Sequence, residues 1–123
     1  MRFHRNILLA VIVTLALVPG ALSASVVINE IFYNAPEDRE DVQWLELFNN
    51  SEKAAELAGW TIDDGKVFTF LASARIEPQS YLVVALNPEQ FTKLYTNRAL
   101  GPLKRPLKRS GERLSLKDTQ GKL

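Results

Sequence analysis

Residues 44–49 read Trp-Leu-Glu-Leu-Phe-Asn, and no other stretch of the chain constrains its fold as much. In a strand, side chains alternate, so Trp44, Glu46 and Phe48 share one face while Leu45 and Leu47 share the other. Both faces therefore carry apolar weight, which suits a strand built into a β-sandwich rather than one lying on a solvated sheet. Glu46, set between apolar neighbours, is the one residue of the stretch with the chemistry of a candidate acid.

Around this strand the chain punctuates itself as further strands. Val26 to Tyr33 is β-branched and aromatic, and its polar pair Asn29-Glu30 puts one polar residue on each face. A charged loop, Asn34 to Asp41, follows, and Asn49-Asn50-Ser51 with Glu52-Lys53 makes the next turn. Ala54 to Gly59 is a connection that brings Leu57 toward the core. The segment Trp60-Thr61-Ile62, Asp63-Asp64-Gly65, Lys66 to Phe70 reads as a hairpin. A three-residue loop with Gly65 left-handed would set Trp60 opposite Phe68 and gather Trp60, Ile62, Phe68 and Phe70 on one face, with Trp60, Phe68 and Phe70 as core companions of Trp44. Asp63 and Asp64 are then turn residues.

Glu77-Pro78-Gln79-Ser80 turns into Tyr81 to Ala85, an apolar run of the length of a buried strand. Asn87-Pro88-Glu89-Gln90 predicts a helix start, with Asn as cap and Pro in the first position. Phe91, Leu94 and Tyr95 would lie on the sheet. Leu114-Ser115-Leu116 alternates as a strand up to Lys117, and Asp118 to Gly121 turns again. Nothing after that turn is long enough to pair with Leu114 to Lys117, so an exposed strand edge is expected there. The reading is a C-terminally truncated domain in a chain with further domains.

The N-terminus carries a separate signal. Arg2, His4 and Arg5 precede the apolar run Ile7 to Val18, then Pro19-Gly20 and the small residues Ala21 to Ala24. This is the pattern of a helical secretory signal peptide over residues 1–24. The run is short of the ~20 residues a membrane span needs, so no stable membrane anchor remains after cleavage. Secretion, to the periplasm or the cell surface, is the expected location. Removing the segment removes the single His, and the chain has no Cys. What is left, residues 25–123, has no imidazole and no thiol, which excludes a His-dependent triad, a Cys nucleophile, thiolate or imidazole metal sites and a disulfide framework. No cofactor and no catalytic residue is expected.

Charge is unevenly distributed. From Ser25 to Asp64 ten acids stand against Arg39 and Lys53, while from Gly65 onward four acids stand against eleven bases. Four of the acids fall within Glu37 to Asp41, but their spacing matches no calcium-binding loop. The bases are densest in an immediate repeat, Pro102-Leu103-Lys104-Arg105 and Pro106-Leu107-Lys108-Arg109. With Arg113, the residues Lys104, Arg105, Lys108 and Arg109 form a candidate contact for nucleic acid or another polyanion. No aromatic residue is interleaved for base stacking, and the opposing reading is a solvated loop.

The order and spacing of Val27-Ile28-Asn29-Glu30-Ile31, Trp44 to Asn49, Leu57-Ala58-Gly59-Trp60-Thr61-Ile62, Pro78 to Ala85, and Ser110 to Leu114 with Asp118 and Gly121 resemble a lamin tail domain. The resemblance covers nearly all of residues 26–121. It implies an all-β, immunoglobulin-like β-sandwich, to which the residues above add one short helix. It also implies use as a binding module in nuclear lamins, and a place in secreted bacterial proteins beside nucleases and other hydrolases. The family pattern closes with a strand after the Gly matching Gly121, which is missing here, and its Gly in the Pro78 turn is replaced by Gln79 or Ser80. Two functions compete: a non-catalytic binding or structural module of an exported protein, for a protein, surface or polyanion partner, and an accessory domain of a secreted nuclease or other hydrolase. In the second, Glu30 and Glu46, on neighbouring strands, would hold a divalent metal. The opposing reading makes both rim acids bonded to backbone amides.

Overall fold

The structure, a computed structural model, describes residues 25–122. The expected signal peptide lies outside the described residues. The segment Trp44–Asn49 (β2) is the central strand of an antiparallel three-stranded sheet, flanked by β1 (Val26–Phe32) and β7 (Tyr81–Ala85). Facing it is a second antiparallel sheet of β4 (Thr61–Ile62), β5 (Phe68–Thr69) and β8 (Leu116–Lys117), with β4 in the middle. A two-stranded ladder of β3 (Ala55–Glu56) and β6 (Arg75–Ile76) completes the sandwich. Leu45 and Leu47 of β2 are fully buried and pack with Val26, Leu57, Ile62, Val67, Phe68, Phe70, Ile76, Val84 and Leu116 in one core drawn from all three ladders. Burial of this apolar set is the driving force of the fold.

The opposite face of β2 has a different cover. Trp44 points away from the main core and is packed instead with Ala85 and Phe91, flanked by Phe32, Val83 and Ala99. The expected association of Trp44 with Trp60, Phe68 and Phe70 is therefore corrected: those three lie on the inner side, and strand alternation puts Trp44 on the outer side with Glu46 and Phe48. What covers Trp44 is the helix α1 (Pro88–Tyr95). Its cap is the expected one, with Asn87 Oδ1 accepting the Gln90 N–H at 3.2 Å and Pro88 in the first turn. Phe91 is buried, and the rings of Phe91 and Tyr95 meet Trp44 edge-on at 5.9 and 6.0 Å. Leu94, expected on the sheet, is instead 51% exposed. The helix docks through the i, i+4 pair Phe91 and Tyr95, and Leu94 is turned off that line by about 100° per residue.

Three further expectations are revised. A β-bulge between Ile28 and Glu30 shifts the β1–β2 register by one, so Asn29 and Glu30 do not divide between the faces. Glu30 pairs with Glu46 on the outer face, and the Asn29 side chain bonds to Glu46 as well. The β4–β5 hairpin pairs Ile62 with Phe68, two residues beyond the expected register, leaving residues 63–67 as the connection. An even shift preserves the facing, so Trp60, Ile62, Phe68 and Phe70 do share a side. The longer loop exists because Asp63, Asp64 and Gly65 all have positive φ (51, 51 and 81°), and Val67 turns fully into the core while its carbonyl accepts the Lys104 N–H at 2.9 Å. Finally, β7 is a half-buried strand: Val84 and Ala85 are covered, whereas Tyr81 is exposed and stacks on Phe48 with ring centroids 4.7 Å apart. Beyond the reach of α1 the outer face has no cover among the described residues.

The acidic segment is also more ordered than a loop. Glu37–Val42 forms two short 3-10 turns after Pro36, kinked at Arg39 (φ −137°, ψ 37°), with Val42 buried at the end and Arg39 paired to Asp41 at 3.6 Å.

Candidate interaction surface

The basic repeat alternates between core and surface. Leu103 and Leu107 are both buried, so each Pro-Leu-Lys-Arg unit fastens a leucine into the sandwich and leaves its bases at the rim. Lys104 Nζ donates to the Gly65 carbonyl at 2.7 Å and so closes the β4–β5 loop from outside. Arg105 is the most committed base. Its guanidinium donates to both carboxylate oxygens of Glu112, at 3.0 and 2.6 Å, and reaches Asp63 at 3.5 Å. Such fork-to-fork geometry is the strong form of an ion pair. Arg109 donates to the Ala35 carbonyl. Lys108 uses its backbone N–H, which Glu112 Oε1 accepts at 2.8 Å.

The electrostatics follow from these contacts. The hydrogen bond from Arg105 holds the Glu112 carboxyl below its ordinary range against the opposing push of burial, with the Lys108 N–H adding to the effect. Glu112 in turn raises Arg105. At the other side of the loop, the Lys117 ammonium bonds Asp64 at 2.7 Å and lowers its carboxyl.

The five expected polyanion contacts therefore divide. Lys104, Arg105 and Arg109 make side-chain bonds within the domain, whereas no side-chain bond of Lys108 or Arg113 occurs among the described residues. Both are exposed and lie on the stretch 108–113. The residues of the alternative function stand opposite one another: Glu30 and Glu46 are cross-strand register partners. Glu46 accepts the Asn29 amide N–H at 2.8 Å, rather than the backbone amide expected of a rim acid. Among the described residues no group of three or more His, Cys, Asp and Glu converges on one point.

Two buried amides escaped the sequence reading, and one of them, Gln43, holds this surface in place. Gln43, fully buried between Val42 and Trp44, donates from Nε2 to the carbonyls of Tyr33 and Leu107, and its Oε1 accepts the Leu107 N–H. It ties the basic repeat to the end of β1. Asn49, read as a turn residue, is fully buried as well and donates to the carbonyls of Lys53, Ile76 and Glu77. The available signal was an amide standing in an apolar run, where burial requires complete hydrogen bonding.

With this sandwich and its strand order in place, the family model described as the lamin tail domain matches residues 19–123. The chain belongs to that family. No curated protein and no solved structure matches it. A lamin tail domain is a non-catalytic, immunoglobulin-like module, and the architecture above is of that kind. In the Pro78 turn Gln79 has a φ of 51°, the left-handed conformation that glycine adopts most easily. Its side chain donates to the Asn50 carbonyl at 2.9 Å, a bond that glycine could not make.

Proposed function

We propose that this lamin tail domain is a non-catalytic binding module of an exported protein, and that it meets a polyanion through Lys108 and Arg113. The observation that carries the reading is the division of the basic repeat: three bases bond within the domain, and these two project from its rim. A cation with no internal partner keeps its charge available for phosphate or sulfate, and such binding weakens steeply with salt. The N-terminal pattern supports export, and the mature product then begins near Ala24 or Ser25.

The test is retention of the protein on heparin and on duplex DNA under a salt gradient. The wild type is expected to be held and to elute earlier when Lys108→Ala and Arg113→Ala are combined. Failure of the wild type to bind at low salt overturns the polyanion reading. N-terminal sequencing of the product released from the producing cell tests export, and an intact Met1 overturns it.

A second reading rests on the Glu30–Glu46 pair: an accessory domain of a secreted hydrolase that binds a divalent cation through these carboxylates. A thermal shift of several degrees with calcium or magnesium, lost in Glu46→Gln, would favour it over the first.

A further inference from the structure

The sheet of β5, β4 and β8 has an outer face of its own. Ile62, Phe68 and Leu116 point into the core, so their strand neighbours Thr61, Thr69 and Lys117 point out, and Thr61 is the register partner of both the others. Leu114 packs inward as well. Arg113 and Ser115 therefore continue the outer row that Lys117 ends, and with Asp63 these three line an open polar hollow of about 380 Å³. Lys104 joins the face from the basic repeat, its Nζ lying 3.4 Å from Thr69 Oγ1. A strand added beyond β8 would lie in the plane of the sheet and leave this face as it is.

The chemistry of this face is a mixture of separated cations, hydroxyls and two acids. Arg113 and Lys117 stand four residues apart, roughly 13 Å in extended backbone, with the Ser115 hydroxyl between them. Among the described residues the side chains of Thr61, Ser115 and Arg113 make no hydrogen bond, whereas Lys117 is held by the exposed Asp64 at 2.7 Å. Asp63 borders the hollow, with Arg105 at 3.5 Å. The aromatic residues of these strands and their flanks, Trp60, Phe68 and Phe70, all turn to the core, so an unpaired base has nothing to stack on. A duplex, which carries a phosphate charge every ~1.7 Å of its axis, would bring that dense charge against Asp63 and Asp64.

We infer that the outer face of the β5–β4–β8 sheet binds an anionic polysaccharide, a polymer whose charged groups are set apart by sugar hydroxyls. The inference rests on the polyanion reading above and names the class of its ligand. Arg113 and Lys117 each take a sulfate or carboxylate group through charge-assisted hydrogen bonds. The hydroxyls of Ser115 and Thr61, able both to donate and to accept, take the sugar hydroxyls that lie between. Asp64 is the internal counter-ion of Lys117, and the incoming anion replaces it.

The experiment titrates the full chain at low salt with a heparin octasaccharide and, separately, with a short DNA duplex, following heat. The octasaccharide is expected to bind about tenfold tighter than the duplex or better. Lys117→Ala should weaken it by about tenfold, the worth of one charge-assisted hydrogen bond, and Ser115→Ala by roughly threefold. Asp64→Asn should tighten it, because the change frees the Lys117 ammonium and asparagine accepts the φ of 51° at that position. Lys93→Ala removes an equal charge from α1, on the other sheet, and should stay within about twofold of the wild type. No binding of the octasaccharide by the wild type overturns this inference together with the polyanion reading. Binding that Lys108→Ala and Arg113→Ala weaken, but that Lys117→Ala and Asp64→Asn leave unchanged, overturns the inference alone. So does a duplex that binds as tightly as the octasaccharide, which makes nucleic acid the ligand, or a Lys93→Ala loss equal to that of Lys117→Ala, which leaves only net charge.

Discussion

The buried amide of Gln43 pairs with the backbone of Leu107 as a neighbouring strand would, donating to its carbonyl at 3.0 Å and accepting its N–H at 2.7 Å. These residues are 64 positions apart, so one side chain joins the centre of the sheet to the basic repeat. Its remaining N–H goes to Tyr33. Leu103 and Leu107 provide the apolar part of the same attachment.

Gln43→Met keeps the volume but leaves the Tyr33 carbonyl and both Leu107 groups without partners. Each unpaired buried group costs about 1–3 kcal/mol, so a loss of roughly 3 kcal/mol or more is expected in urea unfolding. A change below about 0.5 kcal/mol would show that water satisfies these groups.

Trp44 is expected to answer differently to two substitutions. Removing the ring in Trp44→Ala empties the space between Phe32, Phe91 and Tyr95 and should cost roughly 3–5 kcal/mol. Trp44→Phe should cost far less, because the buried indole N–H has no hydrogen-bond partner among the described residues to lose. Chemical denaturation followed by circular dichroism compares the two. Equal losses would mean that the indole N–H is bonded in solution.

These residues also show how far the chain could be read before its structure. The strand pattern of residues 44–49, the Asn87-Pro88 helix start and the inward set Trp60, Ile62, Phe68 and Phe70 were legible, because each rests on local periodicity or capping chemistry. The placement of Trp44 was not. Alternation separates two faces but does not say which one a distant helix will cover. The hairpin register failed for a related reason, since Val67 is drawn inward by tertiary contacts with Lys104 and the core. Among the candidate site residues, the charge of Lys104, Arg105 and Arg109 was visible, but their carbonyl and carboxylate partners lie up to 74 residues away. The bulge at Asn29 was equally hidden, and it decides that Glu30 faces Glu46.

The repeat should separate stability from binding. Leu103→Ala and Leu107→Ala each open a core position and are expected to cost roughly 2–5 kcal/mol. Lys108→Ala and Arg113→Ala change exposed side chains and should stay within about 0.5 kcal/mol of the wild type. Thermal melts of the four variants provide the comparison. A large loss in Lys108→Ala or Arg113→Ala would place those bases in the framework with Arg105.

Glu112 sets an acid limit on the surface. Its folded carboxyl titrates below the unfolded value of about 4.3, because Arg105 bonds the charged form. Folding therefore favours the ionised carboxylate. The resulting stabilisation is whole above the unfolded value and is lost as the pH falls through the lower folded one. Glu112→Gln removes this titration, so its stability should lie below that of the wild type at pH 7 and the two should converge as the pH drops from about 5 toward 2. Urea midpoints measured across that range give the answer. Parallel curves would mean that Glu112 titrates alike in the folded and unfolded chain, and that the bidentate pair with Arg105 does not persist in solution.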